Sequence, residues 1–222
     1  MSKYVTLAVA ALLVFGLVAC SKPAPKPQPK AQTELKPQPV APQESIAPKP
    51  QPTQEPPLKT FKGTPYMNVS VKGLGTIKIR LDPKAAPHNV SNVYQLASSG
   101  FYDGLIFHRI IPGFVVQGGD PTGTGGGGPR YTVPAEIKLK NVRGAVAMAR
   151  QGDQVNPTKA SSSCQFYIIL KDRPDLDRGG YTVIGNVVEG MDLVDNIAKV
   201  QTGPGDRPMT PVVMDKVTVS EQ

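Results

Sequence analysis

Arg109, Phe114 and Gln117 share the apolar run Phe107-His108-Arg109-Ile110-Ile111-Pro112-Gly113-Phe114-Val115-Val116-Gln117-Gly118-Gly119-Asp120. Pro112-Gly113 implies a turn between two short strands, which places the guanidinium, the ring and the amide near one another. No acidic residue precedes Asp120 in the run, so Arg109 is expected to lack an acidic partner. An unpaired cation beside an aromatic ring costs desolvation, and it becomes useful when a polar group on a ligand is meant to meet it. Such a donor favours any state in which a bound acceptor gains electron density. A neutralising carboxylate, or rotation away from the apolar surroundings, would remove that capacity.

Other constellations are weaker. Ser161-Ser162-Ser163 with His108 suggests a hydrolase set. Strand alternation, however, sends His108 and Arg109 to opposite faces and makes the histidine a packed, structural one. Gly123-Thr124-Gly125-Gly126-Gly127-Gly128 lacks the Gly-Lys-Ser/Thr continuation of a phosphate cradle, so a flexible loop rimming a groove is expected. Two cysteines and two histidines (His88 and His108) show no zinc spacing, and no metal or cofactor is expected. Cys164, inside an apolar segment, reads as a buried small hydrophobe.

The elements that must carry these residues are mainly strands. Residues 67–71 and 75–81 alternate apolar and polar around glycine, which signals a hairpin. Further strands are expected near 106–109, 114–118, 144–149, 165–170, 182–188 and 212–219. One helix is expected over 86–99, with Gly100 past its end, and a second over about 191–200. Many short strands with two helices suggest a closed antiparallel barrel, because closure removes exposed edges.

The opening run, with Gly100-Phe101-Tyr102-Asp103-Gly104-Leu105-Ile106, Ala147-Met148-Ala149, Ser163-Cys164-Gln165-Phe166-Tyr167-Ile168 and Val183-Ile184-Gly185-Asn186-Val187-Val188-Glu189-Gly190-Met191-Asp192, closely resembles the cyclophilin-type peptidyl-prolyl isomerases. The resemblance spans about residues 65–220. It implies a mainly β fold: an eight-stranded antiparallel barrel capped by two helices, with a substrate groove on its outer face. It implies that Arg109 is the catalytic donor, and that Gln117 orients it and bonds the substrate backbone. Phe114, Val115, Tyr167 and Leu176 would form the proline pocket. Ala149 and Arg150 would make main-chain contacts to the residue before proline. Arg150 stands where the best-known members have asparagine, so nothing is implied for its side chain. Asp175 takes the place of a tryptophan found in many eukaryotic members, and Tyr181 that of a histidine. Proline binding should survive these changes, whereas cyclosporin binding is expected to be weak.

The chemistry suits these residues. Rotation about a peptide bond faces a barrier of roughly 18–20 kcal/mol, because the nitrogen lone pair is delocalised into the carbonyl. In the twisted state the nitrogen recovers that pair and accepts a hydrogen bond better. A guanidinium in a partly dry groove therefore binds the twisted state more strongly, with neither nucleophile nor cofactor. A 10⁴-fold acceleration requires only about 5–6 kcal/mol.

The N-terminal third is organised differently. Residues 1–19 read as a secretory signal, with Lys3 ahead of an apolar run too short to span a membrane comfortably. Leu17-Val18-Ala19-Cys20 resembles the lipobox of bacterial lipoproteins, which implies an acylated Cys20 anchoring the chain to a membrane. Residues 21–60 hold 12 of the 24 prolines, and residues 20–60 are expected to be a lipidated cysteine followed by a disordered spacer. The forty residues after Cys20 would reach about 120 Å fully extended. Of the formal charge of +8, the signal carries +1, the spacer +3 and residues 61–222 the remaining +4. The folded part shows no basic stripe with interleaved aromatics, so no nucleic-acid partner is expected. The expected protein is a monomeric, lipid-anchored isomerase of the cell envelope, acting on proline-containing exported or surface proteins. Two alternatives remain: a module or holdase that only grips proline-containing segments, and an adhesive surface lipoprotein in which catalysis is incidental.

Overall fold

A computed structural model describes residues 51–222. The signal, Cys20 and most of the spacer lie outside the described residues. In chain order the elements are β1 (Pro65–Val71), β2 (Gly75–Leu81), α1 (Pro87–Ser98), β3 (Phe107–Ile111), β4 (Val115–Gly118), β5 (Thr132–Val133), β6 (Ala145–Met148), β7 (Ser161–Ser162), β8 (Phe166–Ile169), α2 (Pro174–Gly179), β9 (Val183–Glu189), α3 (Met191–Ile197) and β10 (Met214–Glu221). A 3-10 turn occupies Pro204–Asp206.

Eight strands form one antiparallel sheet in the order β10-β1-β2-β9-β6-β8-β4-β3. It curls until its two edges meet, but only at the isolated bridge Ile106↔Val213 and adjoining bonds such as Phe107 N–H to Val212 O (2.9 Å). The expected closed barrel is thus overstated: β3 and β10 share no continuous ladder, and the architecture is a curled sheet. Besides the two expected helices there is a third, α2. Its start is marked by Pro174 and by Asp175 and Asp177 in the first turn, and its end by the left-handed Gly180.

Alternation explains β1 and β2. Met67, Val69, Val71, Ile77, Ile79 and Leu81 point inward and are buried, each contributing roughly 1.5–3 kcal/mol by leaving water. Helix α1 closes one side of this core through Val90, Val93, Leu96 and Ala97. Its N-terminus has no capping side chain of its own. Glu136 supplies the cap from a distant loop, accepting from the N–H groups of His88 (3.1 Å) and Asn89 (3.0 Å).

Strands β4, β6 and β8 are buried on both faces. Val116, Val146, Met148, Phe166 and Ile168 face the main core. Val115, Ala145, Ala147, Tyr167 and Ile169 form a second cluster with Leu176 and Val183, flanked by Phe114, Ala149 and Tyr181. This outer cluster is the floor on which the functional residues stand.

The folded unit also begins earlier than residue 61. Gln95 donates to Pro57 O (2.7 Å), Lys59 N–H to Ser91 Oγ (3.0 Å), and the Lys59 ammonium pairs with Glu221 (2.9 Å). The last residues assigned to the spacer are therefore strapped across α1 and β10.

Candidate active site

Antiparallel pairing of β3 with β4 sets Arg109 opposite Gln117, so the two long side chains project side by side. Arg109 Nη1 donates to Gln117 Oε1 at 3.4 Å. Gln117 Nε2 donates to Gln165 Oε1 at 3.2 Å, and Gln165 Nε2 donates to the carbonyls of Gly125 and Gly127, both at 3.0 Å. Those two carbonyls can only accept, which turns the Gln165 amide so that its oxygen faces Gln117, and Gln117 in turn presents its oxygen to the arginine.

The glycine loop is itself held. Buried Asp120 accepts from the N–H groups of Thr122 (2.7 Å), Thr124 (3.1 Å), Gly125 (2.6 Å) and Gly127 (3.0 Å), and from the Thr122 hydroxyl (2.8 Å). A Cβ at Gly127 would collide with Asp120 and Thr122, so the loop needs glycine to wrap the carboxylate. Burial works to raise the Asp120 carboxyl, but the N–H donors of Gly127 and Thr122 lead the bonds that outweigh it and leave it below the ordinary range. The loop expected to be flexible is in fact bonded around a charge.

Arg109, Phe114, Val115, Gln117, Ala149, Arg150, Tyr167, Leu176 and Tyr181 all line one cleft of about 440 Å³. Val115, Tyr167 and Leu176 are buried in its floor. Tyr181 meets Tyr167 edge-on, with ring centroids 6.1 Å apart. Burial pushes the Tyr167 hydroxyl well above the usual tyrosine range, and the hydroxyl has no hydrogen-bond partner among the described residues. The Ala149 N–H is engaged by Gln165 O (2.9 Å) and its carbonyl accepts from Ser162 N–H (2.7 Å), which leaves that carbonyl a second lone pair.

The Arg150 side chain is only 4% exposed. It lies over the Tyr181 ring at 4.5 Å, donates to Gly179 O (2.6 Å) and pairs with Asp153 (2.6 Å). It is therefore a strut behind Tyr181, tying two loops together. Asp175 binds Arg173 through two bonds (2.8 and 2.5 Å), and the Arg173 guanidinium covers the Phe114 ring at 3.9 Å.

Two expectations fail here. Arg109 does have an acidic partner: Asp206 Oδ2 lies 3.4 Å from its Nε. That carboxylate is 97 positions away in the chain and invisible in the local run. Both side chains are more than a third exposed (38% and 47%), so solvent screens the pair. Contact at Nε also leaves the Nη2 donors available, and the guanidinium stays 5.9 Å from the Phe114 centroid, within the cleft. The charge is neither buried away nor turned aside.

Secondly, His108 and Arg109 line the same cleft. An irregularity between Phe107 and Arg109 interrupts the β3–β4 register, and with it the alternation that assigned them to opposite faces. Burial holds the His108 imidazole below its ordinary pKa, with Arg207 and Arg109 acting in the same direction against Asp120. A neutral, packed histidine follows. Ser162 and Ser163 are occupied by backbone partners rather than by His108.

Gln165 and Asp206 join the site although no sequence motif assigns them a role. Gln165 could have been found from its place in an apolar strand, where a polar residue needs a partner; no comparable signal marked Asp206. Buried Cys164, with its thiol pushed up to about 12 by burial, is the inert hydrophobe expected.

A curled eight-stranded sheet carrying an arginine–glutamine pair beside an apolar cleft defines a known class. The family described as cyclophilin type peptidyl-prolyl cis-trans isomerase/CLD matches residues 66–219, and the chain belongs to it. It is 40% identical over 152 residues to peptidyl-prolyl cis-trans isomerase CYP18-1 of Arabidopsis thaliana, covering 66% of this chain and 91% of that one. With peptidyl-prolyl cis-trans isomerase B of Bacillus subtilis it shares 44% identity over 125 residues, 55% of this chain and 82% of that protein. A crystal structure of a Cryptosporidium parvum cyclophilin type isomerase superposes with a TM-score of 0.64 at 29% identity, covering 72% of this chain and 99% of that one. A second structure of that protein was determined in the presence of the dipeptide Ala-Pro.

Proposed function

We propose that this isomerase accelerates X–Pro rotation in exported or surface proteins while held to the cell envelope by lipid on Cys20. The catalytic reading rests on one observation: Arg109, oriented by Gln117, stands at the edge of an apolar cleft floored by Val115, Tyr167 and Leu176. The pyrrolidine ring sits on that floor against Phe114 and Tyr181. Arg109 then donates to the proline nitrogen as its lone pair localises, a bond absent from the planar ground state. One charge-assisted bond together with desolvation of the amide supplies an acceleration of the required size.

The envelope assignment is supported by the apolar stretch ending in Leu17-Val18-Ala19-Cys20 and by the proline-rich segment after it. Several acyl chains give stable anchoring where one is marginal. The protein works as a single chain, and its partners are proline-containing polypeptides.

Proline-limited refolding measured with wild type and Arg109→Ala tests the catalytic reading. The wild type should be far faster, whereas equal rates would sink it and favour a module that only grips its clients. Labelling with a palmitate analogue should mark wild type and spare Cys20→Ala; an unlabelled wild type rules out the anchor.

A further inference from the structure

We infer that Asp206 is a positioning residue for Arg109, restraining the guanidinium at Nε while Gln117 restrains it at Nη1. The inference rests on Arg109 being the catalytic donor. A guanidinium on a three-carbon stem has several rotatable bonds, and one hydrogen bond at 3.4 Å to Gln117 restrains only its Nη1 corner. Asp206 Oδ2 meets Nε at 3.4 Å. Nε and Nη1 are held by different parts of the chain, and the Nη2 corner is left for the substrate nitrogen. Among the described residues Asp206 is the only carboxylate within ion-pair distance of Arg109.

The chain takes an unusual course to put it there. Asp206 has φ +60°, one of two non-glycine residues with positive φ among those described, and Gly205 before it has φ +70°. Left-handed backbone at a residue with a side chain costs free energy and persists where the surroundings hold it. Here they do. Gly203 N–H donates to Arg207 O (2.8 Å), Met209 N–H to Gln201 O (2.9 Å), and Thr202 bridges Pro208. Arg207 Nη1 ties the turn to Gly123 O at 2.6 Å, on the loop wrapped around Asp120. The turn is thus braced on the same loop that fixes the Gln165–Gln117 chain, and both restraints on Arg109 share one frame.

Asp206→Asn and Asp206→Gly test this, because both replacements accept left-handed backbone and keep the turn while removing the charge. Isomerisation kinetics are measured for both beside wild type and Arg109→Ala, with thermal unfolding as a check of the fold. Both Asp206 variants should keep their unfolding temperature and KM, with kcat lowered about tenfold, since misplacing a catalytic group costs rate rather than ground-state binding. Unchanged or raised kcat, or a change confined to KM, overturns the inference while Arg109→Ala remains impaired. Full activity in Arg109→Ala instead overturns the catalytic reading beneath it.

Discussion

On the β4 side of the cleft, Arg109 stands on a chain of hydrogen bonds that runs inward through Gln117 and buried Gln165 to the loop around buried Asp120. On the α2 side, the outer face of Phe114 is covered by Arg173, paired with a half-exposed Asp175, and Tyr181 is backed by Arg150, paired with a mostly exposed Asp153. The first side runs from the partly exposed Arg109 inward to buried Gln165 and Asp120; the second leaves its carboxylates in solvent. Buried bonds are strong, directional and damaging to break, whereas exposed ion pairs are screened and adaptable. Arg109 is thus backed by a chain of amides that ends in buried groups, whereas the Phe114–Tyr181 wall is backed by two arginines whose carboxylate partners face solvent.

The contrast can be broken most severely at Gln165. Gln165→Leu strands two loop carbonyls and frees the Gln117 amide to rotate, so kcat should fall by about a hundredfold with stability lower by about 1–3 kcal/mol. Kinetics and urea unfolding check this, and near-normal kcat would show that Gln117 orients Arg109 unaided.

Asp120→Asn is next. It turns an acceptor of several donors into a group with an amide facing N–H groups, and should cost about 2 kcal/mol. Its pH signature has a definite sign. The folded carboxyl titrates below its ordinary value, so its contribution is complete above roughly pH 4 and is lost as pH falls through the lowered folded value. Unfolding measured on acidification should show a smaller loss in Asp120→Asn than in wild type, because Asp175, Asp177, Asp195 and Glu221 are also held low and still contribute.

Tyr167→Phe sharpens the comparison in the opposite direction. It removes a buried hydroxyl that has no partner among the described residues, so the variant should be more stable by about 1 kcal/mol and retain its activity. A loss of stability would mean that the hydroxyl is satisfied. Smallest of all should be Asp175→Ala, which releases Arg173 from the surface of Phe114. A KM change within about twofold, abolished by high salt, is expected of an exposed pair. The resemblance sets Asp175 against a tryptophan of many eukaryotic members, so cyclosporin is expected to inhibit weakly, and a nanomolar inhibition constant would contradict this.

Much of this was legible in the residues alone. The alternation of β1 and β2 and the face of α1 each follow from a local period that burial imposes. The continuous apolar runs around 145–148 and 166–169 announce strands buried on both faces, although they do not reveal that the outer face forms a separate floor. Helix α2 spans too few residues to establish a period, and only its end signals mark it. The register break at Phe107–Arg109, which brings His108 to the cleft, has no local signature.

The amino-acid order by itself determined the strands and the main helices, because these depend on side-chain type and short spacings, and the arginine and its glutamine stood out in it through a family resemblance. Tertiary structure alone decided what surrounds that arginine. Asp206 reaches it only after the sheet has curled, Gln165 is locked only once the glycine loop has closed on Asp120, and the tail of the spacer becomes part of the fold by lying along α1. Each of these contacts joins positions far apart in the chain, and such contacts leave no period or pattern for a linear sequence to display.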